Sequence, residues 1–425
     1  MYCGSCLHDN TLAAALMKQG HDVLLVPTYT PLRTDEQDVS IRQMFFGGIN
    51  VFLQQKSAIF RHTPWLLDSL LDSHALINLV AHGGPSVEAE RLGELTVSML
   101  AGKEGKQRKE LQKLVHWLRK GVRPDVVHLS NSMFVGMAAP IRELGVPVVC
   151  TLSGEDLFLE KLPQPHYDEA RRLLREQAQH VDAFVAMNHY YAAFMSDYLS
   201  VPRDRVHVIP HGLKLEGHGA QRVSSAGNSQ MIGYFARICP EKGLHVLIAA
   251  FEQLMEDPRF ASLKLRVAGY LGDLDRPYLE GIKKRVQSWP RPQQFEYVGE
   301  LDRAGKIAFL QSLDVFSVPT VYHESKGLST LEAMANAVPV VVPSHGVFPE
   351  LVADSGGGLL HEPENPAALA AVLKELLMNP ERAKSLGLSG QRAVQSRYHD
   401  AGMAEKTAAL YQTLRARKSP RQPTF

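Results

Sequence analysis

The stretch SVPTVYHESKGLSTLEAMANAVPVVV, residues 317–342, joins two apolar runs through a polar loop and a helical pattern. The runs Val315–Val318 and Val338–Val342 are continuous and rich in valine, as in parallel strands buried on both faces. Between them, the spacing of apolar residues predicts an amphipathic helix from Gly327 to Ala335. Strand, loop, helix and strand in this order are typical of a doubly wound α/β sheet.

Two carboxylates frame this loop and helix. Glu324 lies in the loop, and Glu332 follows about one turn inside the helix, with seven residues between them. The N-terminal end of a helix and its unpaired amides suit a phosphate, and carboxylates accept hydrogen bonds from vicinal hydroxyls. A nucleotide sugar, which has hydroxyls at both ends and a diphosphate between, matches this order. The alternative is that both glutamates are merely solvated, and their spacing alone does not decide.

A pair of cations stands at the end of an earlier strand. Arg237 and Lys242 flank the turn between the predicted strand Met231–Phe235 and the predicted helix Gly243–Met255. Fixed cations at a strand end, facing a helix N-terminus, can neutralise a departing diphosphate. An ordinary pair of surface cations is the alternative interpretation.

The alternation of strands and helices extends along the chain and predicts two doubly wound, Rossmann-like domains with a cleft between them. The predicted organisation is a first domain over residues 1–210, a polar linker over 211–230, a second domain over 231–395, and a helix with a tail over 396–425. Further predicted strands are Val23–Val26, Val126–Leu129, Val146–Cys150, Ala183–Ala186, Lys264–Ala268 and Phe295–Val298.

Composition excludes several classes of protein. The 425 residues carry a formal net charge of +1, which gives no global field for nucleic acid or an acidic membrane. Four cysteines form no disulfide framework, so a cytoplasmic protein is expected. No signal peptide is visible, and no stretch approaches the roughly 18 apolar residues of a membrane span. The apolar spacing in Trp65–Val80 leaves a peripheral contact with the inner membrane face open, although core packing or a lid is favoured.

The order of these pieces resembles the family 4 retaining glycosyltransferases of the GT-B fold, also described as glycosyl transferases group 1. The resemblance covers nearly all of residues 230–395 and is looser in the first domain. The motifs that carry it are Gly233…Arg237-x4-Lys242-Gly243, Val267-Ala-Gly269, Val298-Gly299, Glu324-x7-Glu332-Ala333, Pro339-Val-Val and Gly346-x-x-Pro349-Glu350.

The resemblance implies a metal-independent transfer of a sugar with retention of configuration, without a cofactor. The donor would be a UDP-, GDP- or ADP-sugar, and a glycan, lipid or small molecule would accept the sugar on the first domain, to which the C-terminal helix would cross back. Glu324 would be the catalytic carboxylate, with Arg237 and Lys242 as the diphosphate clamp. Further donor contacts would come from Glu332 at the ribose, the amides around Lys326, Gly327, Leu328 and Ser329, the base loop Glu300 and Leu301, and Gly233, Gly4 and Ser5.

The first domain departs from the family pattern after the strand Val146–Cys150. Ser153 stands where many relatives have a histidine, so a histidine contact with the donor sugar cannot be carried over. Glu155 and Asp156 are candidates for contacts with the acceptor or the sugar. Carboxylates at an ordinary helix N-terminus are the equally weighted alternative.

The opening MYCGSC, with Cys3 and Cys6, is predicted to be a tight strand-to-helix loop in which Gly4 permits close backbone approach. The family's domain begins with a strand before this loop, so the first strand is expected to be missing through truncation or a misassigned start. A redox or zinc site is the less favoured alternative, since no second ligand pair has suitable spacing.

Two rival functions remain open: a sugar-nucleotide epimerase of the same fold, and a non-catalytic sugar-nucleotide-binding protein. The motif Asp273-Leu-Asp275 matches a metal-binding D-x-D, but three-residue matches are common by chance, and no metal site is expected. The acceptor, the donor's base and sugar, and the oligomeric state are not determined by the sequence.

Overall fold

The computed structural model of the protein describes residues 4–29, 32, 34–43, 45–46, 89–219 and 230–418. The chain divides into two compact units, residues 1–7 with 210–403 and residues 8–209 with 404–425. We refer to the first as the C-terminal unit and to the second as the N-terminal unit. Cys3 and the stretch Trp65–Val80 lie outside the described residues.

Strands and helices alternate through most of the described chain. The strands are β1 (Val127–Leu129), β2 (Val148–Thr151), β3 (Ala183–Ala186), β4 (Val206–Val208), β5 (Met231–Phe235), β6 (Lys264–Ala268), β7 (Phe295–Gly299), β8 (Val315–Phe316), β9 (Val340–Pro343) and β10 (Gly358–His361). The helices are α1 (Gly4–Lys18), α2 (Ala89–Leu100), α3 (Arg108–Trp117), α4 (Ala138–Arg142), α5 (Asp156–Leu159), α6 (His166–Ala178), α7 (His189–Leu199), α8 (Leu244–Met255), α9 (Arg276–Gln287), α10 (Arg303–Gln311), α11 (Leu328–Ala335), α12 (Phe348–Ser355), α13 (Pro366–Met378), α14 (Pro380–Arg397) and α15 (Asp400–Lys418).

The C-terminal unit is built on a six-stranded parallel sheet in the order β10-β9-β8-β5-β6-β7. Its central strands are buried because their apolar side chains are covered on both faces, which explains the continuous apolar runs in the sequence. The chain enters at β5, adds β6 and β7 on one side, and returns to place β8 on the other. The order therefore reverses between β5 and β8, and the crevice outside the carboxyl ends of these two strands is where such sheets bind ligands.

The N-terminal unit contains, within its described part, a four-stranded parallel sheet in the order β1-β2-β3-β4. The strands β2 and β3 are buried along their whole length. Helix α15 contributes Tyr411 to this unit. The hydroxyl of Tyr411 lies 2.6 Å from Nδ1 of His128 on β1.

Two local predictions for the start of the chain are wrong. Val23–Val26 is not a regular strand, although Leu25 forms an isolated bridge with Ser40. Leu24 is 45% exposed, so the segment lacks the burial of a central parallel strand. Gly4, Ser5 and Cys6 do not form a loop, because the buried side of α1 extends back to Leu7 and the helix already begins at Gly4.

No helix among the described residues is both long and apolar enough to cross a membrane.

Candidate functional site in the C-terminal unit

The loops that follow β5 and β8 meet at the reversal point of the sheet. The amide of Val321 donates to the carbonyl of Glu241 at 3.0 Å. Gly243 has a φ of 73°, and a Cβ there would lie 1.8 Å from the carbonyl oxygen of Pro319. Only glycine permits both this backbone conformation and this approach. The close contact of the two loops brings the predicted clamp residue Lys242 to the predicted catalytic carboxylate Glu324.

Glu324 is a buried carboxylate surrounded by hydrogen-bond donors. Its Oε2 accepts from Nζ of Lys242 at 2.6 Å and from the hydroxyl of Tyr322 at 2.5 Å. Its Oε1 accepts from the amides of Ser325 at 3.2 Å and Lys326 at 3.1 Å. Burial alone would raise the pKa of Glu324, but the charge of Lys242 and these hydrogen bonds outweigh it and lower the pKa to about 2. The carboxylate is therefore held ionised and in one orientation.

Tyr322 is a member of this cluster that sequence reasoning missed. Its hydroxyl lies 2.5 Å from Nζ of Lys242, and its ring lies 4.9 Å from the same ammonium. Burial and the neighbouring Glu324 raise its pKa well above the usual range, so the phenol stays neutral and donates to the carboxylate. Its position two residues before Glu324 in the same loop could have indicated that it lies next to this carboxylate.

A third loop, which follows β9, supports Glu324 from its backbone side. The amide of Val347 donates to the carbonyl of Glu324 at 2.8 Å. Gly346 has a φ of 61°, and a Cβ there would lie 2.6 Å from the amide nitrogen of Glu324. Gly346 carried the family resemblance but had no predicted site role, and the structure gives it one through close packing against Glu324.

The N-terminus of α11 lies directly after the loop that carries Glu324. Gly327 occupies the N-cap position with a φ of 66° and has no side chain with which to cap the helix. The first-turn amides at Leu328 and Ser329 thus suit an anion. Ammonium Nζ of Lys326 donates to Oγ of Ser5 at 3.0 Å, and a Cβ on Gly4 would lie 3.8 Å from the same nitrogen. The structure therefore brings Gly4 and Ser5 next to the side chain of Lys326, which precedes α11.

Glu332 occupies the fifth position of α11 and is 4% exposed. Its Oε1 accepts a hydrogen bond from Nζ of Lys306 on α10 at 2.6 Å, so the two side chains form a buried ion pair. The solvated alternative for Glu332 is wrong. Lys306 was not predicted, although it lies with Phe309 and Leu310 on the buried stripe of its helix.

Arg237 lies at the edge of the same crevice, and its guanidinium is tied to the D-x-D motif. Its Nη2 donates to Oδ2 of Asp275 at 2.8 Å, while Asp273 pairs with Arg276. Half of the Arg237 side chain is exposed. Each carboxylate of the motif thus accepts a hydrogen bond from an arginine.

Three other predicted donor residues lie on or directly after strands of the same sheet. Gly233 lies in the middle of β5, where a Cβ would come within 2.1 Å of Cδ1 of Leu313. Core packing therefore accounts for this glycine. Glu300 and Leu301 follow β7, with Glu300 exposed and Leu301 half-buried just before α10. Asp302 caps α10 by accepting from the amide of Gly305 at 2.7 Å, which fixes the end of this loop.

Glu155 and Asp156 belong to the N-terminal unit. Glu155 is buried and accepts hydrogen bonds from the amide of Ser153 at 2.9 Å and from the amide of Ser132 at 3.2 Å. Tyr191 donates to Asp156 at 2.6 Å, and burial raises the pKa of Asp156. Glu155 therefore stabilises its own loop, which favours the structural interpretation of this residue.

The cysteine alternative gains no support from the described residues. Within the described residues, Cys6, Cys150 and Cys239 form no disulfide, and Cys150 and Cys239 are buried. Within the same described ranges, no group of three or more histidines, cysteines and acidic residues is arranged to hold a metal ion.

Comparison with known proteins assigns the family. The model for glycosyl transferases group 1 matches residues 220–393, and the model for glycosyltransferase family 4 matches residues 72–216. The chain belongs to the family 4 glycosyltransferases. The two matched ranges together include Glu155, Asp156, Arg237, Lys242, Glu324 and Glu332.

Curated relatives of this glycosyltransferase are sugar-transferring enzymes. Alpha-maltose-1-phosphate synthase of Mycolicibacterium smegmatis is 29% identical over 316 residues, which cover 68% of this chain and 79% of the relative. Phosphatidyl-myo-inositol mannosyltransferase of Mycobacterium leprae is 31% identical over 175 residues, or 41% of this chain and 44% of the relative.

Solved structures show the fold of this glycosyltransferase. Sucrose-phosphate synthase from Thermosynechococcus elongatus matches with a TM-score of 0.70 at 19% identity, over 96% of this chain and 92% of that one. HepE of Anabaena in complex with UDP-glucose matches with a TM-score of 0.62 at 17% identity, over 92% of this chain and all of that one (100%). The two parallel sheets are those of the GT-B fold, as the sequence predicted.

Proposed function

We propose that this glycosyltransferase moves a sugar from a nucleotide diphosphate sugar to an acceptor, with retention of configuration and without a metal ion. The observation that carries the proposal is the ionised, buried carboxylate of Glu324 beside the N-terminus of α11, with Lys242 in contact and Arg237 at the crevice edge. Negative and positive groups thus lie in the order that a sugar and its diphosphate would need.

Each charged group has a separate task in the proposed reaction. Lys242, Arg237 and the first-turn amides of α11 neutralise the charge that develops on the departing diphosphate. Glu324 faces the sugar and stabilises positive charge at the reacting carbon. The fixed cations supply the neutralisation that a divalent ion provides in other sites.

Glu332 is proposed to receive the ribose hydroxyls, and the loop with Glu300 and Leu301 to contact the base. The acceptor is proposed to bind on the N-terminal unit. The solved structure of HepE contains UDP-glucose, which supports a nucleotide sugar as the donor class. The base is left to experiment, with UDP, GDP and ADP as the candidates.

Calorimetric binding of UDP, GDP and ADP, each with and without EDTA, tests the donor site. We expect one nucleotide to bind the wild type equally well in both conditions. The double variant Arg237→Ala/Lys242→Ala should lose this binding while keeping its circular dichroism spectrum. A folded wild type that binds none of the three contradicts the proposal.

The products then test the reaction itself. With the matching nucleotide sugar and a panel of glycan, lipid and small-molecule acceptors, proton NMR should show a product with the anomeric configuration of the donor. A product of inverted configuration contradicts retention. Conversion of the donor sugar to its epimer without any acceptor indicates an epimerase, and binding without turnover by the full panel indicates a binding protein.

A further inference from the structure

The ion pair between Lys306 and Glu332 is the most deeply buried one in the described part of the C-terminal unit. The side chains of both residues are 5% exposed, and Nζ of Lys306 lies 2.6 Å from Oε1 of Glu332. Removing two charges from water costs more than burying an apolar pair of similar volume, so such a pair is weak evidence for stability. The pair therefore calls for a role beyond holding the two helices together.

The rest of Glu332 is also fixed. Its backbone carbonyl accepts from Nδ2 of Asn336 at 2.9 Å, and Oδ1 of Asn336 accepts from the amide of Gly219 at 3.2 Å. Among the described residues, Lys306 is the donor to the carboxylate, and it engages Oε1. Oε2 is thus the oxygen to which a ligand hydroxyl can donate.

Lys306 comes from α10, which begins directly after the loop of Glu300 and Leu301. Asp302 caps this helix, and Arg303 donates from Nη2 to the carbonyls of Lys214 at 2.7 Å and Glu216 at 2.9 Å. The helix is therefore anchored at its first turn, and Lys306 follows one turn later. Because α10 is anchored, the ammonium of Lys306 is held next to the carboxylate of Glu332 on α11.

We propose that Lys306 is a positioning residue that holds the Glu332 carboxylate for the ribose diol of the nucleotide. This inference rests on the proposed function, because it assigns the ribose end of the donor to Glu332. Lys306 acts through Glu332 and makes no contact with the nucleotide itself. The ammonium offsets the desolvation of the carboxylate, and it turns Oε2 toward the ligand by occupying Oε1.

The test compares each nucleotide with its 2′,3′-dideoxy counterpart, which lacks the diol. Isothermal titration calorimetry gives the ratio of the two dissociation constants for UDP, GDP or ADP, whichever binds the wild type. A hydrogen bond to a charged group contributes about 1.5–3 kcal/mol, so we expect the wild type to favour the ribonucleotide by about 10- to 150-fold.

Lys306→Met should reduce this ratio to within about threefold of unity because it removes the ammonium that holds the carboxylate. Glu332→Gln should do the same because it removes the charge of the carboxylate itself. Binding of the dideoxynucleotide should stay near the wild-type value in both variants. Lys374→Met is the matched control, because Lys374 forms a partly exposed ion pair with Asp257 in the same unit. The control should keep the wild-type ratio.

Failure of the inference is distinct from failure of the proposed function. A wild type that binds none of the nucleotides overturns the proposed function. A Lys306→Met variant that binds with the wild-type ratio overturns the role of Lys306 and leaves the proposed function intact. If Lys306→Met does not fold, Lys306→Gln decides, because it keeps an N–H donor without the charge. We expect an intermediate ratio for Lys306→Gln, and an unchanged one overturns the inference.

Discussion

Glu324 and Glu332 share one arrangement and differ in what surrounds it. Each carboxylate lies 2.6 Å from a lysine ammonium. Around Glu324, Tyr322 and two backbone amides add further donors, and Lys242 is 24% exposed. Around Glu332, the lysine is 5% exposed and sealed between two helices. The same ion pair is thus accessible in one place and enclosed in the other.

The difference in access separates two kinds of task. In the proposed function, the partly exposed ammonium of Lys242 exchanges part of its contact with Glu324 for the phosphate of the donor. The side chain of Lys306 is only 5% exposed, so we expect its contact with Glu332 to persist when a nucleotide binds. We therefore expect changes at Glu324 to affect the chemical step and changes at Glu332 to affect nucleotide binding.

The largest expected effect comes from Glu324→Gln. Loss of one preorganised electrostatic group at a reacting centre costs about 10²–10³ in kcat, and we expect a decrease of this size with KM little changed. Glu332→Gln should instead raise KM for the donor and leave kcat within a few-fold. Steady-state kinetics on both variants checks the contrast, and equal losses of kcat would remove it.

The second prediction concerns acid stability. The pKa of Glu324 is lowered from 4.5 to about 2 in the folded protein, so Glu324 contributes stability above pH 4.5 that is lost as the pH falls toward 2. The full contribution is up to about 3 kcal/mol. Thermal unfolding from pH 6 to pH 3 should therefore show a steeper fall of Tm for the wild type than for Glu324→Gln. If Tm falls equally with pH in the wild type and in Glu324→Gln, the pKa of Glu324 is not lowered in the folded protein.

The smallest predicted effect is that of Gly346→Ala. The added Cβ would lie 2.6 Å from the amide nitrogen of Glu324 and 2.7 Å from its carbonyl oxygen, at a φ of 61°. We expect a loss of about 1–3 kcal/mol in the free energy of unfolding and a lower kcat without a change in nucleotide affinity.

Gly281→Ala is the matched control for this substitution. Gly281 lies in α9, and a Cβ added there would have no neighbouring atom within 4 Å, so alanine should stabilise the protein by about 0.5–1 kcal/mol. Urea unfolding of both variants measures the difference. A Gly346→Ala variant as stable as the control would contradict the close packing behind Glu324.

The strands of the C-terminal unit were largely predictable, because buried parallel strands leave continuous apolar runs. The predicted Met231–Phe235 and Lys264–Ala268 agree with β5 and β6 at both ends. The strands β4 and β10 were not predicted, since His207 interrupts one and glycines precede the other. Val23–Val26 has the composition of a strand, but the structure gives it only an isolated bridge.

The site was predictable where neighbours in sequence are also neighbours in space. The loop of Glu324 and the N-terminus of α11 lie within a few residues of each other. The pairs Lys306–Glu332 and Arg237–Asp275 join residues that are 26 and 38 positions apart. Such pairs depend on how helices pack on the sheet, which a local pattern does not encode. The packing of Gly233 against Leu313, 80 positions further along the chain, could not be predicted for the same reason.

Helix α10 connects an exposed loop, which contains Glu300, to the buried side chain of Lys306. Its leading loop carries the exposed Glu300, which can change without disturbing the core, whereas Lys306 is enclosed and paired. Under the proposed function, in which this loop contacts the base and Glu332 contacts the ribose, substitutions in the loop change the preferred base and leave the ribose contact unchanged. Directed evolution of nucleotide preference should therefore start with the surface positions of this loop.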